Sequence, residues 1–390
     1  MPFAAALSTA PQSLQAVDEV CGRALPTLDG RPDLALVFFS PHHAPAADEL
    51  AARLQPQLEA RCLVGCQGEA IVGNEREVEN GPALSLWLAR WSQPVEQTPF
   101  HLTFEETSEG PSLMGWPDDL QQADPKQSAI LLLGDPFSFP VDQCLRHLNE
   151  NQPGLRVMGG MSSGSQGPGQ GALLLGGQVL PGGAVGVLLQ GGPRIRSVVS
   201  QGCRPIGKPL VITKARDNII FELGGQTALE QLQQLWQSLS PQDQALVRQG
   251  LHVGRVLSEY QETFQRGDFL VRNVMGLDRD SGAIAVTEWV RVGQTVQFHV
   301  RDAATADEDL HALLKTDVQA HAARPAGALL FTCNGRGTRL FDGPNHDAGV
   351  LRAEAGTVPV AGFFAQGELG PVGGQNFIHG FTASVALFED

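Results

Sequence analysis

The amino-acid sequence predicts an α/β protein: mixed β-sheets with βαβ units, helices on the sheet faces, and two domains. Two observations carry that prediction. An apolar run, an amphipathic helix and a second apolar run ending in glycines follow one another three times along the chain. Between these units lie shorter alternating segments, which suit antiparallel strands. With 390 residues, 42% of them hydrophobic, the chain is long enough for two or three domains and a sizeable core. Its 45 glycines point to many tight turns.

In chain order, QSLQAVDEVCGRAL (12–25) spaces Leu14, Val17, Val20, Cys21 and Leu25 along one helical face. DLALVFFSP (33–41) is a continuous apolar run stopped by Pro41, as expected of a strand covered on both faces. Residues 45–60 predict a helix through Leu50, Leu54 and Leu58, and RCLVGC then runs as a strand into a glycine loop. The order returns in AILLLGDPF (129–137), PVDQCLRHLNEN (140–151) and LRVMGG (155–160). It returns again in GALLFTCNGRG (327–337), the partly helical GPNHDAGVLRAEAG (343–356) and VPVAGFFAQGE. In each unit the second strand starts roughly 26–30 residues after the first, the interval of a strand–helix–strand crossover. The likeness of the units suggests a duplication.

Among the intervening segments, ALSLWLARW (83–91) and HLTFEET (101–107) are expected to pair. Residues 172–192 read as strand, turn, strand, and IRSVVSQGC (195–203) is expected to extend that sheet. Residues 226–252 are helical with a capped restart at Ser240-Pro241. Residues 269–286 form a hairpin turning at Asp278 to Gly282, 289–303 add alternating strands, and 307–321 form a helix. The expected division is a helical segment over 1–32, a first domain over 33–225 and a second over 226–390.

A formal net charge of −15 argues against nucleic acid and anionic membrane as partners, since both call for a positive surface. No apolar run reaches the roughly 18 residues of a membrane helix. MPFAAALSTAPQSLQAVDEV lacks the basic start and apolar centre of a secretory signal, so a cytoplasmic protein with six reduced cysteines is expected. Cys62 and Cys66 have no second Cys or His pair at zinc spacing, and no P-loop or G-x-G-x-x-G follows a strand. No metal and no cofactor is predicted.

Several blocks together resemble the FIST family, with its N-terminal and C-terminal domains. They are DLALVFFSP, VGCQGEAIVG, VMGGMSSG and SQGCRPIG in the first part. DFLVRNVMGLDRDSGAIAV, VQFHVRDA, LFTCNGRGTRLF and VPVAGFFAQGELGPVGG follow in the second. The resemblance covers nearly the whole chain. It implies a sensory, signal-transducing module that binds a small polar metabolite, with amino acids or related compounds as the ligand class. No kinase, cyclase, DNA-binding or F-box segment accompanies it, so signalling is expected to run through a partner protein in trans.

In open α/β sheets, ligands sit at the carboxyl ends of the strands, and the candidate residues are those of the strand-end loops. Arg336, between Gly335 and Gly337, offers a planar fork for a ligand carboxylate. Gln366 and Glu368 would meet an ammonium or amide group, and Gln67 and Glu69 repeat the same Gln-Gly-Glu order. Gly160, Ser162 and Ser163 belong to the middle glycine loop, where the serines would donate to a ligand. Cys66 and Cys333 lie at strand ends beside glycines. His42 and His43 form a pair with no partner at metal spacing, His346 and His379 stand alone, and all four read as loop or packing residues; Asp135 and Asp217 are isolated.

Two other functions remain open on the sequence. One is an enzyme using Cys333 or Ser162 as nucleophile. Residues 160–164 fit G-x-S-x-G, but SQGPGQG follows where a hydrolase needs a helix. The other is a ligand-free scaffold, its strand ends sealed by Met161, Phe363 and Phe364.

Overall fold

The computed structural model describes residues 2–107, 110–191, 194–261, 263–264 and 267–389. By mutual contact the chain divides into two compact units. The larger comprises Met1–Val199, Leu310–Ile378 and Thr382–Asp390, and the smaller Ser200–Asp309 with His379–Phe381.

The chain begins with β1 (Phe3–Ser8), α1 (Ser13–Ala24), β2 (Leu34–Phe39), α2 (Ala47–Leu58) and β3 (Cys62–Gln67). The short β4 (Ile71–Gly73) and β5 (Arg76–Val78) come next, then β6 (Leu84–Ala89). A second stretch holds β7 (Glu96–Thr107), β8 (Gly110–Met114), β9 (Ser128–Gly134), α3 (Val141–Asn151) and β10 (Arg156–Met161). It continues through β11 (Leu173–Leu175), β12 (Gln178–Leu180), β13 (Ala184–Gln190) and β14 (Ile195–Gln201). The smaller unit brings β15 (Cys203–Arg216), β16 (Ile219–Leu223), β17 (Gln226–Thr227), α4 (Ala228–Ser238) and α5 (Pro241–Gln249). Its remaining strands are β18 (Leu251–Val256), β19 (Phe269–Asp278), β20 (Ala283–Val286) and β21 (Thr295–Arg301). The chain closes with α6 (Ala303–Ala320), β22 (Gly327–Cys333), α7 (His346–Ala355), β23 (Val360–Ala365), β24 (Glu368–Val372), β25 (Gln375–His379) and β26 (Thr382–Phe388).

The three predicted crossovers are present. β2–β3, β9–β10 and β22–β23 pair in parallel. Each pair sits in its own sheet: β1-β6-β2-β3-β11-β12, β25-β24-β10-β9-β13-β7-β8, and β14-β26-β22-β23-β4-β5. The three orders are one order, with β8 added at the outer edge of the second sheet. A leading strand, a returning strand and the parallel pair come from a single repeat, and a hairpin lent by another repeat completes the sheet. The first repeat lends β4–β5 to the third sheet, the second lends β11–β12 to the first, and the third lends β24–β25 to the second. The likeness of the units therefore extends to three structural repeats joined in a ring of exchanges.

The inner faces of the three sheets share a single core. Leu36, Phe38 and Val64 enter from the first sheet, Leu131, Met158 and Val187 from the second, and Phe331, Phe363 and Phe388 from the third. The outer faces are covered by helices. Val17, Val20, Leu50 and Leu54 of α1 and α2 pack on the first sheet, Leu145 and Leu148 of α3 on the second, and Leu310, Leu314 and Leu351 of α6 and α7 on the third. Being covered twice, the central strands are apolar throughout, as in LALVFF with all six residues buried.

Four sequence expectations change. β6 lies between β1 and β2, and β7 pairs with β13 and β8, so ALSLWLARW and HLTFEET belong to different sheets. β6 is buried on both faces, which requires a central place that an isolated hairpin cannot offer. Residues 172–190 hold the β11–β12 hairpin and then β13 in another sheet, while Gly192 lies outside the described residues. β14 joins the edge of the third sheet rather than that sheet. The N-terminal segment also contains β1 ahead of its helix.

In the smaller unit the order β15-β21-β18-β19-β20-β16-β17, with β15 also paired to β16, closes six antiparallel strands into a barrel. Register shifts within β15 and β19 supply the local bends that closure needs. Its core holds Ile212, Ile220, Phe298 and Val300. The two helices expected within 226–252 are present, but they end at Gln249, and Leu251 already opens β18. Thr227 Oγ1 accepts from Glu230 N at the head of α4, and Ser240 caps α5 in front of Pro241.

Candidate functional site

The carboxyl ends of the three parallel pairs meet at one pole of the larger unit, and Ser163 ties them together. Its N–H donates to Gln67 O (3.3 Å), its Oγ accepts from Glu69 N (2.7 Å), and the same hydroxyl donates to Phe364 O. Gln67 Nε2 returns a bond to Ser163 O (3.3 Å). Gln366 N donates to Met161 O (3.0 Å), and Met161 N to Gly367 O (2.8 Å). Packing is close enough to require glycine at 160, where a Cβ would stand 2.9 Å from the Ala365 Cβ.

Beside this junction lies a charged cluster built on the third repeat. Arg336 is fully buried and gives Nε and Nη2 to Asp347 Oδ2 (2.7 Å) and Oδ1 (2.8 Å). Its guanidinium lies 5.2 Å from the centre of the Phe341 ring, which stacks on His346. Thr332 Oγ1 donates to Asp347 Oδ2, and His346 Nδ1 lies 2.8 Å from Oδ1. Burial alone would raise the Asp347 carboxyl, but the Arg336 charge and these hydrogen bonds hold it well below the carboxylate range. Asp347 also stands in the first turn of α7, where the helix dipole favours an anion. The fork expected to receive a ligand carboxylate is thus engaged by a carboxylate of the chain itself.

Two further acids flank the pair. Glu77, on the lent hairpin, accepts from Ala348 N (2.8 Å) and so satisfies an open amide of α7. Burial and the Asp347 charge push its carboxyl up to about 7. Glu368 opens β24, is fully buried, and accepts at Oε2 from Thr382 N (3.2 Å) and Oγ1 (2.6 Å). Burial pushes it up to about 8, against the pull of the Thr382 bonds and of Arg336. Glu77 Oε2 and Glu368 Oε1 have no hydrogen-bond partner among the described residues. A cleft of about 350 Å³ opens beside Glu77, lined by Arg76, Glu77, Glu79, Thr338 and Asn345 among others, and Glu368 is not on its wall.

The remaining candidates disperse. Glu69 pairs with the exposed Arg339, and Gln366 is exposed. Cys66 points into the shared apolar core, where burial pushes its thiol well up, so it stands apart from the polar groups. Cys333 is buried and its Sγ accepts from Gly335 N (3.4 Å). Gln67 Oε1 and Ser162 Oγ are buried without a partner among the described residues, as is Asp135 Oδ1. A Cβ on Gly171 would lie 2.9 Å from Asp135 Oδ1 and 3.9 Å from Ser162 Oγ, so these two atoms edge one gap. No helix follows Ser162, and the hydrolase elbow is not formed.

Sequence reasoning passed over Asp347, Glu77, Glu79, Thr332 and Thr382. The acid alternation in NEREVEN (74–80) was a usable signal, since period two on a strand sets Glu77 on one face.

A three-repeat α/β unit with polar groups gathered at its strand ends, carried with an inserted barrel, defines the class. Residues 33–226 match the FIST N domain and residues 228–371 the FIST C domain, and the chain belongs to the FIST family. FIST domains are generally taken as sensory, ligand-binding signal-transduction domains. The chain is 44% identical over 391 residues to an uncharacterized protein of Mycobacterium tuberculosis, covering 100% of each. A second, from Mycobacterium bovis, is 43% identical over 392 residues, covering 100% of this chain and 99% of the relative. Among the described residues no helix is long and apolar enough to cross a membrane.

Proposed function

We propose that the protein is a small-ligand sensor whose ligand, an amino acid or a related metabolite, is held by its ammonium group in the cleft at Glu77 and Glu79. The observation that supports this most directly is the unpartnered Glu77 Oε2 in a cleft with two glutamates on its wall. A buried acceptor left unmet costs roughly 1–3 kcal/mol, and an ammonium supplies three donors and the compensating charge. Arg76 on the same wall can take the ligand carboxylate, the part first assigned to Arg336. The signal would pass to a partner protein in trans, and the six free, buried cysteines suit a cytoplasmic setting.

The test is thermal unfolding and calorimetric titration of the full chain with a panel of amino acids and organic acids. A true ligand at about a hundred times Kd stabilises by about 2.7 kcal/mol. Glu77→Gln should abolish the shift while the protein still unfolds cooperatively. If no compound in the panel raises the melting temperature, the reading fails.

A further inference from the structure

A second cavity, of about 510 Å³, lies where the amino ends of β9 and β10 meet the start of β14 and the end of β26. Its wall includes Lys126, Arg156, Arg194, Arg196 and His321, with Glu389 as the acid among them. In a chain of net charge −15, four fixed cations around one hollow run against the overall balance.

Arg196 is paired with Asp317 and Glu389, and the other three fixed cations are not consumed in this way. Among the described residues no carboxylate partner is recorded for Lys126, Arg156 or Arg194. Arg156 gives Nη1 to the Ile195 carbonyl, and burial works against its charge. Arg196 is the built part of the site, only 8% exposed. Its Nε donates to Asp317 Oδ2 (2.8 Å), and its Nη1 donates to Glu389 Oε1 and to Ala323 O (3.3 Å). Nη2 is buried and has no partner among the described residues. The two acids hold this guanidinium in a fixed pose on the cavity wall, with its buried Nη2 unpaired. A buried donor left unmet costs about as much as a lost hydrogen bond.

We propose that this cavity binds a small phosphorylated metabolite, separately from the ligand at Glu77. A phosphate group carries roughly −1.5 to −2 at neutral pH with three strong acceptor oxygens, which suits several forked donors at once. With Asp317 and Glu389 counted, the fixed cations exceed the acids by two, an excess that a phosphate matches and a single carboxylate only halves. The volume lies within the roughly 300–1,000 Å³ of small-molecule pockets, and a concave wall on an acidic protein offers no track for a nucleic-acid backbone.

The experiment is calorimetric titration of the full chain with pyrophosphate at low ionic strength, against citrate at the same ionic strength. Pyrophosphate should bind one to one, and Arg194→Gln and Lys126→Gln should each weaken it about tenfold or more. Both side chains are exposed and lie outside the Arg196–Asp317–Glu389 network, so the variants should keep the native melting temperature. Glu77→Gln should leave pyrophosphate binding unchanged. Absence of saturable binding, binding indifferent to both substitutions, or citrate binding as tightly as pyrophosphate would each overturn the assignment.

Discussion

Gln67-Gly68-Glu69 and Gln366-Gly367-Glu368 spell the same tripeptide after β3 and β23, yet their glutamates end in opposite surroundings. Glu69 stays in a loop, half-exposed, against the exposed Arg339. Glu368 is fully buried and bonded to Thr382. The difference comes from where the lent hairpin begins. After β3 the chain spends residues 68–70 before β4, whereas β24 starts at Glu368 itself, already paired with Gly160 of the second sheet. One residue of loop decides whether a carboxylate meets water or core. The loop after β22 carries an arginine for each setting: the exposed Arg339 pairs with Glu69, while the buried Arg336 pairs with Asp347 and reaches Glu368 through its charge.

Substitutions can break this contrast, and the largest effect is expected at Arg336. Arg336→Met leaves Asp347 buried without its counter-ion and should cost about 3–5 kcal/mol in chemical denaturation. Next comes Glu368. Its carboxyl is raised in the folded state, so its contribution to stability is fully present below the ordinary carboxylate range and is lost as pH rises through about 8. Glu368→Gln, which resembles the protonated acid, should flatten the loss of stability between pH 6 and pH 9 by on the order of 3 kcal/mol.

The glycines sharpen the comparison at smaller cost. Gly367 sits at φ 130°, and a Cβ there would lie 2.6 Å from Ile378 Cδ1. Gly367→Ala should cost roughly 1–3 kcal/mol. The smallest change is expected from Arg339→Ala, an exposed ion pair, at about 0–1 kcal/mol and diminishing with added salt. A loss comparable to that of Arg336→Met would show that the loop does not sort its arginines by burial.

The sequence revealed the parts whose signal is local. LALVFF, SAILLLG and GALLFTC are apolar because both faces are covered, and the helices between them show their buried stripes. Strands of three residues, such as β4 and β11, are too short for any period, so the exchange of hairpins between sheets could not be read. ALSLWLARW looked like half of a hairpin because its true neighbours, β1 and β2, lie far back in the chain. In the charged cluster, the strand-end rule pointed to Arg336 and Glu368. It could not foresee that Asp347 would fill the arginine's fork, a pairing fixed by the fold of α7 over β22. Cys66 was placed by its glycine neighbour, although alternation along β3 puts it beside Val64 on the core face.

The ring of lent hairpins bears on how such a chain leaves the ribosome. When β4–β5 emerges, the sheet that will receive it waits on β23, nearly three hundred residues later in synthesis. The edge of β10 likewise lies bare until β24 is made. The larger unit therefore completes itself only after translation is almost finished. Until the third repeat arrives, a nascent chain carrying the first two leaves strand edges and inward apolar faces uncovered.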